Sequence, residues 1–217
     1  GQLPRVDAFR QHFHYDQTNW LPFYWQGFQQ QTRYSYRLEG LNHLEAVYQN
    51  LHRDYRNNKL PRAKEQVRLR TGLPVETFYE VAGKSYVRQG LSQPFSFSFL
   101  KNLTDVLGEK DAGKLFFAVD EQERVHSVAL LVWDRQSSYY LVAGDDPDLR
   151  DSGAGVWLAW QLVKYTSEVL HLPAFDFLGS MVEPIERVRR QFGAVQRPYF
   201  EVWQYRSGLF RLLEYLR

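Results

Sequence analysis

The residues best suited to chemistry lie in a glycine-containing loop between a predicted strand and a predicted helix. The loop reads Arg150-Asp-Ser-Gly153-Ala-Gly155 and leads into a helical segment at residues 154–170. Backbone N–H groups at the start of a helix carry partial positive charge, and glycine lets a phosphate approach them closely. We therefore expect a pyrophosphate to bind the side chain of Arg150 and the loop amides, which belong to Ser152, Gly153, Ala154, Gly155 and Val156.

A plainer interpretation of the same loop stays open. Gly153 and Gly155 also permit a tight turn into a helix, with no ligand involved. Four carboxylates precede or lie within the loop, and they oppose a phosphate or else cap the helix and order the turn. These are Asp145, Asp146, Asp148 and Asp151.

Asp176 is a second candidate, because it is a carboxylate within a predicted strand at residues 174–178. Successive side chains of a strand point to opposite faces, so Asp176 points away from the face of Phe175 and Phe177. A carboxylate in that position can orient an amine or a water molecule. It can equally bind a neighbouring backbone or arginine group, and the sequence does not decide between the two.

The composition favours one α/β domain with an N-terminal extension. The chain has 217 residues, 44% of them hydrophobic, and a net charge of only +2. Such a chain can build a sizeable core, and its small net charge does not predict nonspecific binding of nucleic acid. We predict an N-terminal arm, strand and helix at residues 1–66 and the main domain at residues 67–217. The first residue is Gly1 rather than methionine, so we expect the natural protein to begin earlier.

Several function classes are disfavoured by what the sequence lacks. There is no cysteine, which excludes disulfides, thiolate metal sites and a cysteine nucleophile. The histidines show no metal-ligand spacing, and no G-x-S-x-G motif indicates a hydrolase. His126 lies in a predicted strand, and we expect it to face solvent or a groove. No apolar run is long enough to cross a membrane and no secretion signal is present, so we expect a cytoplasmic protein without membrane insertion.

The order of predicted elements indicates a mixed sheet covered by helices on both faces. After an irregular aromatic arm at residues 1–31, a strand at 32–38 precedes a helix that Asn42 caps and that ends before Pro61. A strand at 67–71, helices at 74–89 and 98–107, and an antiparallel meander at 114–120, 125–133 and 138–143 follow. A helix at 154–170, a strand at 174–178, a helix at 183–192, a strand at 198–206 and an amphipathic segment at 208–216 complete the chain. The sheet is therefore mostly antiparallel with a β-α-β-α-β C-terminal half.

This order, over residues 32–206, resembles the GNAT fold of the Gcn5-related N-acetyltransferases. It is most similar to the branch that contains the Fem-type peptidoglycan aminoacyl transferases and the CelD/BioF2-like acetyltransferases. The loop at Arg150, Gly153 and Gly155 resembles the acyl-CoA pyrophosphate loop of the family. The strand motif from Phe175 to Ser180 and the helix end from Val188 to Ala194 resemble two further motifs of that branch.

The resemblance implies an acyltransferase that uses acetyl-CoA or another acyl-CoA and no metal. The acyl group would pass to an amine by direct attack, with the loop of residues 150–156 holding the donor. Arg189 stands where the branch has a lysine and would supply positive charge near donor or acceptor, while Asp176 would orient groups in the cleft. A tyrosine would protonate the leaving thiolate; we choose Tyr199, with Tyr139, Tyr140 and Tyr205 as alternatives.

Two other functions stay open at this stage. One is a Fem-type transferase that takes its acyl group from aminoacyl-tRNA and acts on a cell-wall precursor. The basic residues between Arg53 and Arg70 suit tRNA, or simply form a solvated helix face. The other is a non-catalytic GNAT-like binding module, in which side chains would plug the Arg150 loop and the groove between the strands would be closed. The sequence does not give the acceptor or the oligomeric state.

Overall fold

A computed structural model describes residues 6–88, 90–179, 181–208 and 212. Gln89, Ser180 and most of the predicted segment at residues 208–216 lie outside these ranges. The chain forms two compact units. The larger unit comprises residues 36–178 and 187–195, and the smaller unit comprises residues 1–35, 179–186 and 196–217. The predicted boundary after residue 66 stays a prediction.

The described residues contain eight strands and seven α-helices. The strands are β1 (Ala8–His12), β2 (Gln29–Glu39), β3 (Arg68–Arg70), β4 (Gly113–Val119), β5 (Val125–Trp133), β6 (Ser138–Asp145), β7 (Ala174–Asp176) and β8 (Val195–Tyr205). The α-helices are α1 (Leu21–Tyr24), α2 (Leu44–Gln49), α3 (Leu60–Gln66), α4 (Val75–Arg88), α5 (Phe97–Glu109), α6 (Ala154–Glu168) and α7 (Glu183–Gln191). Two 3₁₀ turns, at Leu41–His43 and Pro147–Ser152, and one π-helical turn, at Tyr55–Lys59, connect them.

The sheet of the larger unit has the strand order β2-β7-β6-β5-β4-β3. Strands β4, β5 and β6 form the predicted antiparallel meander, and the β6–β7 pair, which α6 connects, is parallel. A parallel neighbour requires a crossover connection of this kind, because a hairpin can join only antiparallel strands. The predicted mixed α/β fold is confirmed.

Helices cover both faces of this sheet because its central strands are apolar on both sides. Phe117 packs edge-on against Phe78 of α4, within a core that α4 and α5 complete. Its neighbour Phe116 points the other way and packs against Tyr165 of α6, with ring centroids 4.9 Å apart. Alternation along β4 thus assigns one face to α4 and α5 and the other to α6.

Strands β6 and β7 pair only where they begin. Their register joins Ser138 to Phe175 and Tyr139 to Asp176, and β7 then ends while β6 continues to Asp145. The chain bends after β7 at Leu178, whose φ of 60° lies in the left-handed region. Beyond Tyr139, β6 therefore continues toward the start of α6 without β7 as its paired neighbour.

The prediction of an irregular arm at residues 1–31 is wrong in part, because some of these residues form regular structure in the smaller unit. Residues 8–12 form β1, which pairs antiparallel with β8. The aromatic residues of the arm pack among themselves: Phe23 lies between Phe13 and Phe28, with ring centroids 5.0 and 5.3 Å away, and Phe28 also meets Phe9. Burial of these rings offsets the entropy of ordering the segment.

Two predicted details of the following helix are also wrong. Asn42 lies inside a 3₁₀ turn rather than at a helix cap, and the residue before α2, His43, makes no capping hydrogen bond through its side chain. Pro61 does not end a helix but lies in the first turn of α3. The π-helical turn before it, in which the N–H of Leu60 donates to the carbonyl of Tyr55, widens the backbone and accommodates a residue that has no N–H.

The close approach of α4 to β6 gives a stability prediction. A Cβ at Gly144 would lie 2.6 Å from Cα of Ala82, so Gly144→Ala should lower the free energy of unfolding by about 1–3 kcal/mol. Gly108→Ala is the control, because nothing lies within 4 Å of its Cβ position in α5. Urea denaturation should find the control neutral or slightly stabilised; equal effects of both changes would contradict the packing argument.

Candidate functional site

The loop predicted to hold a pyrophosphate is a 3₁₀ turn that ends at Gly153, whose φ is +75°. The N–H of Gly153 donates to the carbonyl of Arg150 at 3.0 Å, and the N–H of Ala154 donates to Oγ of Ser152 at 3.2 Å. Two of the expected amides are therefore used within the loop itself. Among the described residues, the N–H groups of Gly155 and Val156 have no acceptor, so these are the amides that the loop offers to a ligand.

A carboxylate lies directly beside Gly155. A Cβ added to Gly155 would fall 2.5 Å from Oδ1 and 2.9 Å from Oδ2 of Asp145, the last residue of β6. Burial raises the pKa of Asp145, although a hydrogen bond from Ser127 and the charges of Arg150 and Arg88 oppose the rise. Nε of Arg150 is 4.0 Å from Oδ2. Gly155 thus makes room for an acid as well as for a phosphate, and the ionised acid would repel the phosphate.

The neighbouring Asp146 has the capping role that the sequence allowed. Its Oδ1 accepts a hydrogen bond from the N–H of Asp148 at 3.0 Å and so caps the 3₁₀ turn. Its Oδ2 accepts a hydrogen bond from Nζ of Lys84 at 2.6 Å. Burial would raise the pKa of Asp146, but the bond from Lys84 lowers it below its ordinary value. This ion pair connects α4 to the start of the loop.

The structure brings together a buried serine, histidine and aspartate beneath the loop. Nδ1 of His126 is 2.9 Å from Oγ of Ser152, and Nε2 is 3.0 Å from Oδ2 of Asp120. The three residues are each less than one-tenth exposed. The expectation that His126 faces solvent or a groove is wrong, because its strand β5 is covered on both sides.

The hydrogen bonds around Ser152 indicate a structural role for this group rather than hydrolysis. The hydroxyl of Ser152 donates to the carbonyl of Leu149 at 2.8 Å and accepts from the N–H of Ala154. The carboxylate of Asp120 only accepts, so Nε2 of His126 donates to it, and Nδ1 of His126 shares a hydrogen bond with the same Ser152 hydroxyl. Burial would raise the pKa of Asp120, but hydrogen bonds from His126 and Arg124 lower it far below its ordinary value.

Asp176 is buried and bound to the backbone. Its Oδ1 accepts a hydrogen bond from the N–H of Leu178 at 2.7 Å, which holds the bend after β7. The strand registers place it opposite Arg37 and beside Tyr139. Tyr139 donates to Asp134 at 2.9 Å, and burial first, then Asp134, raises the pKa of Tyr139 to about 12. The backbone-binding alternative for Asp176 is observed; its catalytic role stays a proposal.

Arg189 lies on the opposite face of the sheet from Asp176. Its guanidinium carbon is 5.9 Å from the ring centroid of Tyr36, and Tyr36 is the neighbour in sequence of Arg37. Burial raises the pKa of Tyr140, a change that Asp145 reinforces and Arg189 opposes. Because side chains alternate along β2, the structure does not bring Arg189 and Asp176 into one cluster.

Tyr199 belongs to the smaller unit, whereas Asp176 and Arg189 belong to the larger one. Its hydroxyl packs against the backbone at Gly179: a Cβ there would lie 2.5 Å from Tyr199 Oη and 2.9 Å from the carbonyl of Tyr34. Its ring centroid is 5.8 Å from that of His12. The glycine of the strand motif is thus explained by the space that Tyr199 occupies.

The glycine of the helix-end motif also has a packing explanation. Gly193 has a φ of +76°, and its N–H donates to the carbonyl of Arg190 at 2.8 Å, which ends α7. A Cβ there would lie 3.0 Å from the carbonyl oxygen of Asn50. The preceding Phe192 is fully buried between the rings of Tyr55 and Phe177. This motif therefore fixes α7 to the core of the larger unit.

A cavity and an aromatic loop lie outside the group of predicted site residues. A cavity of about 370 Å³ is lined by a mostly apolar set that includes Thr71, Leu73, Thr104, Leu107, Leu115 and Leu130, none of which was predicted as a site residue. The aromatic loop around Phe95 packs on Tyr79 of α4.

Within residues 6–208, leaving out 89 and 180, no three histidine or acidic side chains are arranged to hold a metal ion. No helix in the same part of the chain is long and apolar enough to cross a membrane.

The raised pKa of Asp145 predicts a pH-dependent gain in stability for Asp145→Asn. Folding penalises the ionised carboxylate, so the wild type loses stability as the pH rises through the raised folded-state value. The advantage of the variant in urea denaturation should therefore grow with pH and then level off. Asp151→Asn, which removes an exposed carboxylate of the same loop, is the control; an advantage that does not change with pH would contradict the burial argument.

The buried chain from Asp120 to Ser152 predicts coupled mutations. His126→Phe removes one hydrogen bond from each of two buried side chains, Asp120 and Ser152, and should cost on the order of 1–3 kcal/mol in unfolding free energy. Ser152→Ala removes the same bond, so the double variant should cost less than the sum of the single ones. Hydrogen exchange at Ala154 should accelerate in each variant. Strict additivity together with unchanged exchange would show that the chain does not order the loop.

Comparison with solved structures shows which known proteins share this fold. The chain superposes on the crystal structure of FemX with a TM-score of 0.74 at 15% identity, covering 90% of this chain and 72% of that one. It superposes on L-PGS from Bacillus licheniformis with a TM-score of 0.58 at 11% identity, covering 96% and 71%. The C-terminal domain of a putative lysylphosphatidylglycerol synthetase from Agrobacterium fabrum gives 0.55 at 11% identity, covering 88% and 65%.

These structural likenesses show a shared fold. A search of curated protein sequences finds no match. The family model described as "Acetyltransferase (GNAT) domain" matches residues 49–187, which run from the end of α2 through α3, the meander and α6 into the first part of α7. The chain therefore belongs to the GNAT acetyltransferase family, and it has the fold of that family's Fem-type branch.

Proposed function

We propose that this protein is an N-acyltransferase that passes an acyl group from acyl-CoA, most simply acetyl-CoA, directly to an amine. The observation that carries the proposal is the end of β6–β7 pairing at Tyr139 and Asp176, which leaves the last residues of β6, before the start of α6, without β7 as a neighbour. Two loop amides, of Gly155 and Val156, remain available there for a pyrophosphate, and the guanidinium of Arg150 stands half exposed near them.

The proposed acyl transfer requires few catalytic side chains. The amine nitrogen attacks the thioester carbonyl, the C–S bond breaks, and the thiolate takes up a proton while the amine loses one. Backbone groups of β6, beyond its last pair with β7, are suited to polarise the carbonyl oxygen. Tyr139 and Tyr140 hold their protons tightly because burial raises both pKa values, so we keep Tyr199 as the proposed proton donor and Tyr205 as its alternative.

The other predicted residues keep more limited roles in this proposal. Asp176 fixes the bend after β7 and so maintains the opening between the strands. Arg189 places positive charge over Tyr36, on the sheet face that α6 covers. Asp145 tunes donor binding, because a phosphate next to Gly155 is favoured when this carboxyl group is neutral and disfavoured when it is ionised. The acceptor amine is a small molecule or a cell-wall precursor.

Calorimetry with acetyl-CoA tests the donor site. The wild type should bind, and Gly155→Trp should abolish binding because the side chain fills the space beside the amides. Asp145→Asn should tighten binding, on the order of threefold to tenfold, since one like charge is removed near the phosphates. A gain of affinity does not arise from misfolding, so this variant controls for damage by the tryptophan. No binding to the wild type and no effect of either change would remove the acyl-CoA proposal.

A Fem-type use of aminoacyl-tRNA is the second candidate, and the likeness to FemX favours it. The charges of the basic residues between Arg53 and Arg70 support it less well, because several are already paired: Lys59 with Asp54, Arg68 with Glu121, and Arg70 with Glu123. Salt-dependent tRNA binding by the full chain, in the absence of acetyl-CoA binding, would replace the first proposal by this one.

A further inference from the structure

Strand β4 of the larger unit has an unpaired edge beside the end of β3. Strand β3 is the last strand of the sheet, and it pairs only with residues 117–119 of β4. Residues 113–116 pair with β5 on one side and, within the part of the chain that the structure describes, with no strand on the other. We call residues 113–116 the open edge of β4. Backbone groups at such an edge can pair with another extended chain.

The hydrogen-bonding pattern of β4 shows which groups of the open edge face outward. The N–H of Trp133 in β5 donates to the carbonyl of Ala112 at 2.9 Å. Bonds to one neighbour alternate along an antiparallel strand, so Lys114 also bonds to β5, whereas Gly113 and Leu115 direct their N–H and C=O groups away from it. These outward groups have no hydrogen-bond partner among the described residues.

A turn at Gly72 prevents β3 from covering this edge. Arg70 pairs with Phe117, so a longer β3 would place residue 72 opposite Leu115. Gly72 instead has a φ of +77°, which is not a strand conformation, and the chain leaves the sheet there to begin α4. Among the described residues, nothing lies within 4 Å of the Cβ position at Gly72. The position opposite Leu115 is therefore not filled by the chain itself.

The cavity of about 370 Å³ lies at the open edge. Its lining includes residues 113–115 of the edge, Leu73 after the turn, Leu107 of α5 and Leu130 of β5. Leu115 packs on the side of the sheet that α4 and α5 cover. Residues directly opposite each other on antiparallel strands project from the same face, so a side chain opposite Leu115 would enter this cavity.

The contents of the lining favour an apolar side chain in the cavity. The hydroxyl of Thr104, another lining residue, donates to the carbonyls of Leu100 and Lys101 within α5, at 3.1 and 2.9 Å. Nζ of Lys114 lies 3.4 Å from the hydroxyl of Tyr165, which belongs to α6 on the other face of the sheet. These two polar side chains are thus engaged away from the cavity, while the outward backbone groups of the open edge are not.

We infer that the open edge of β4 is a binding site for an extended peptide segment, which adds a strand in line with β3. The peptide backbone bonds to the outward groups of Leu115 and Gly113, and an apolar side chain opposite Leu115 occupies the cavity. The outward N–H and C=O groups carry partial charges that recur at every second residue, and an extended peptide presents the complementary charges at the same spacing. No residue of the Arg150 loop takes part, so the site is independent of the acyl-CoA proposal.

Titration of the isotope-labelled full chain with the blocked peptide acetyl-Leu-Thr-Leu-N-methylamide tests this inference, with amide correlation spectra as the readout. The alternation of the peptide directs both of its leucines to the cavity face. Binding should shift the amide resonances of Gly113 and Leu115 and slow their hydrogen exchange, because both N–H groups gain an acceptor. Methylation of the two leucine nitrogens removes two donors and should weaken binding about tenfold. Acetyl-Gly-Thr-Gly-N-methylamide lacks the apolar side chains and should also bind about tenfold more weakly or worse.

Two variants of α5 provide a matched control. Thr104→Phe extends a ring from the cavity lining and should weaken binding of the leucine peptide about tenfold or more. Asn102→Phe introduces the same side chain at an exposed position of α5 outside the lining and should leave the affinity unchanged. The spectrum of each variant also reports whether it is folded, and the three peptides are compared on the wild type alone.

Three results would each overturn the inference. One is the absence of shifts at Gly113 and Leu115 on addition of the leucine peptide. Another is an equal affinity of the wild type for all three peptides. The third is an equal loss of affinity in the folded variants Thr104→Phe and Asn102→Phe.

Discussion

The hydrogen-bonded chain from Asp120 through His126 to Ser152 is the constraint on which the candidate loop depends. It links the turn after β4 and the strand β5 to the residue that accepts from the N–H of Ala154. All three side chains are buried, so each bond stands in place of one that water would otherwise make. The position of the two open amides at the start of α6 follows from this fixed support rather than from glycine content alone.

The groups around the loop both favour and oppose the binding of an anion. The start of α6 favours an anion, yet Asp145 places a carboxyl group beside Gly155, and its pKa is raised by burial. A donor phosphate and this carboxylate therefore compete for the same positive potential.

The sequence predicted the elements of the larger unit well because their signals are local. Alternating or continuous apolar runs define β4, β5 and β6, and Pro74 marks the start of α4. Prediction was wrong where a neighbour in space overrides a local rule. Pro61 continues a helix because a π-helical turn precedes it, and the arm at residues 8–12 becomes a strand because β8 pairs with it. Neither partner is visible within a short window of sequence.

By itself, the sequence determined the element order, the glycine loop before α6 and the two motifs that indicate the GNAT family, because each depends on neighbouring residues. Only the tertiary structure decided which groups meet. It separated Arg189 from Asp176 across the sheet, assigned two loop amides to internal bonds, and joined Asp120, His126 and Ser152 into one buried chain. Residues far apart in sequence come within hydrogen-bond distance only through strand register and helix packing, and those are set by burial over the whole chain.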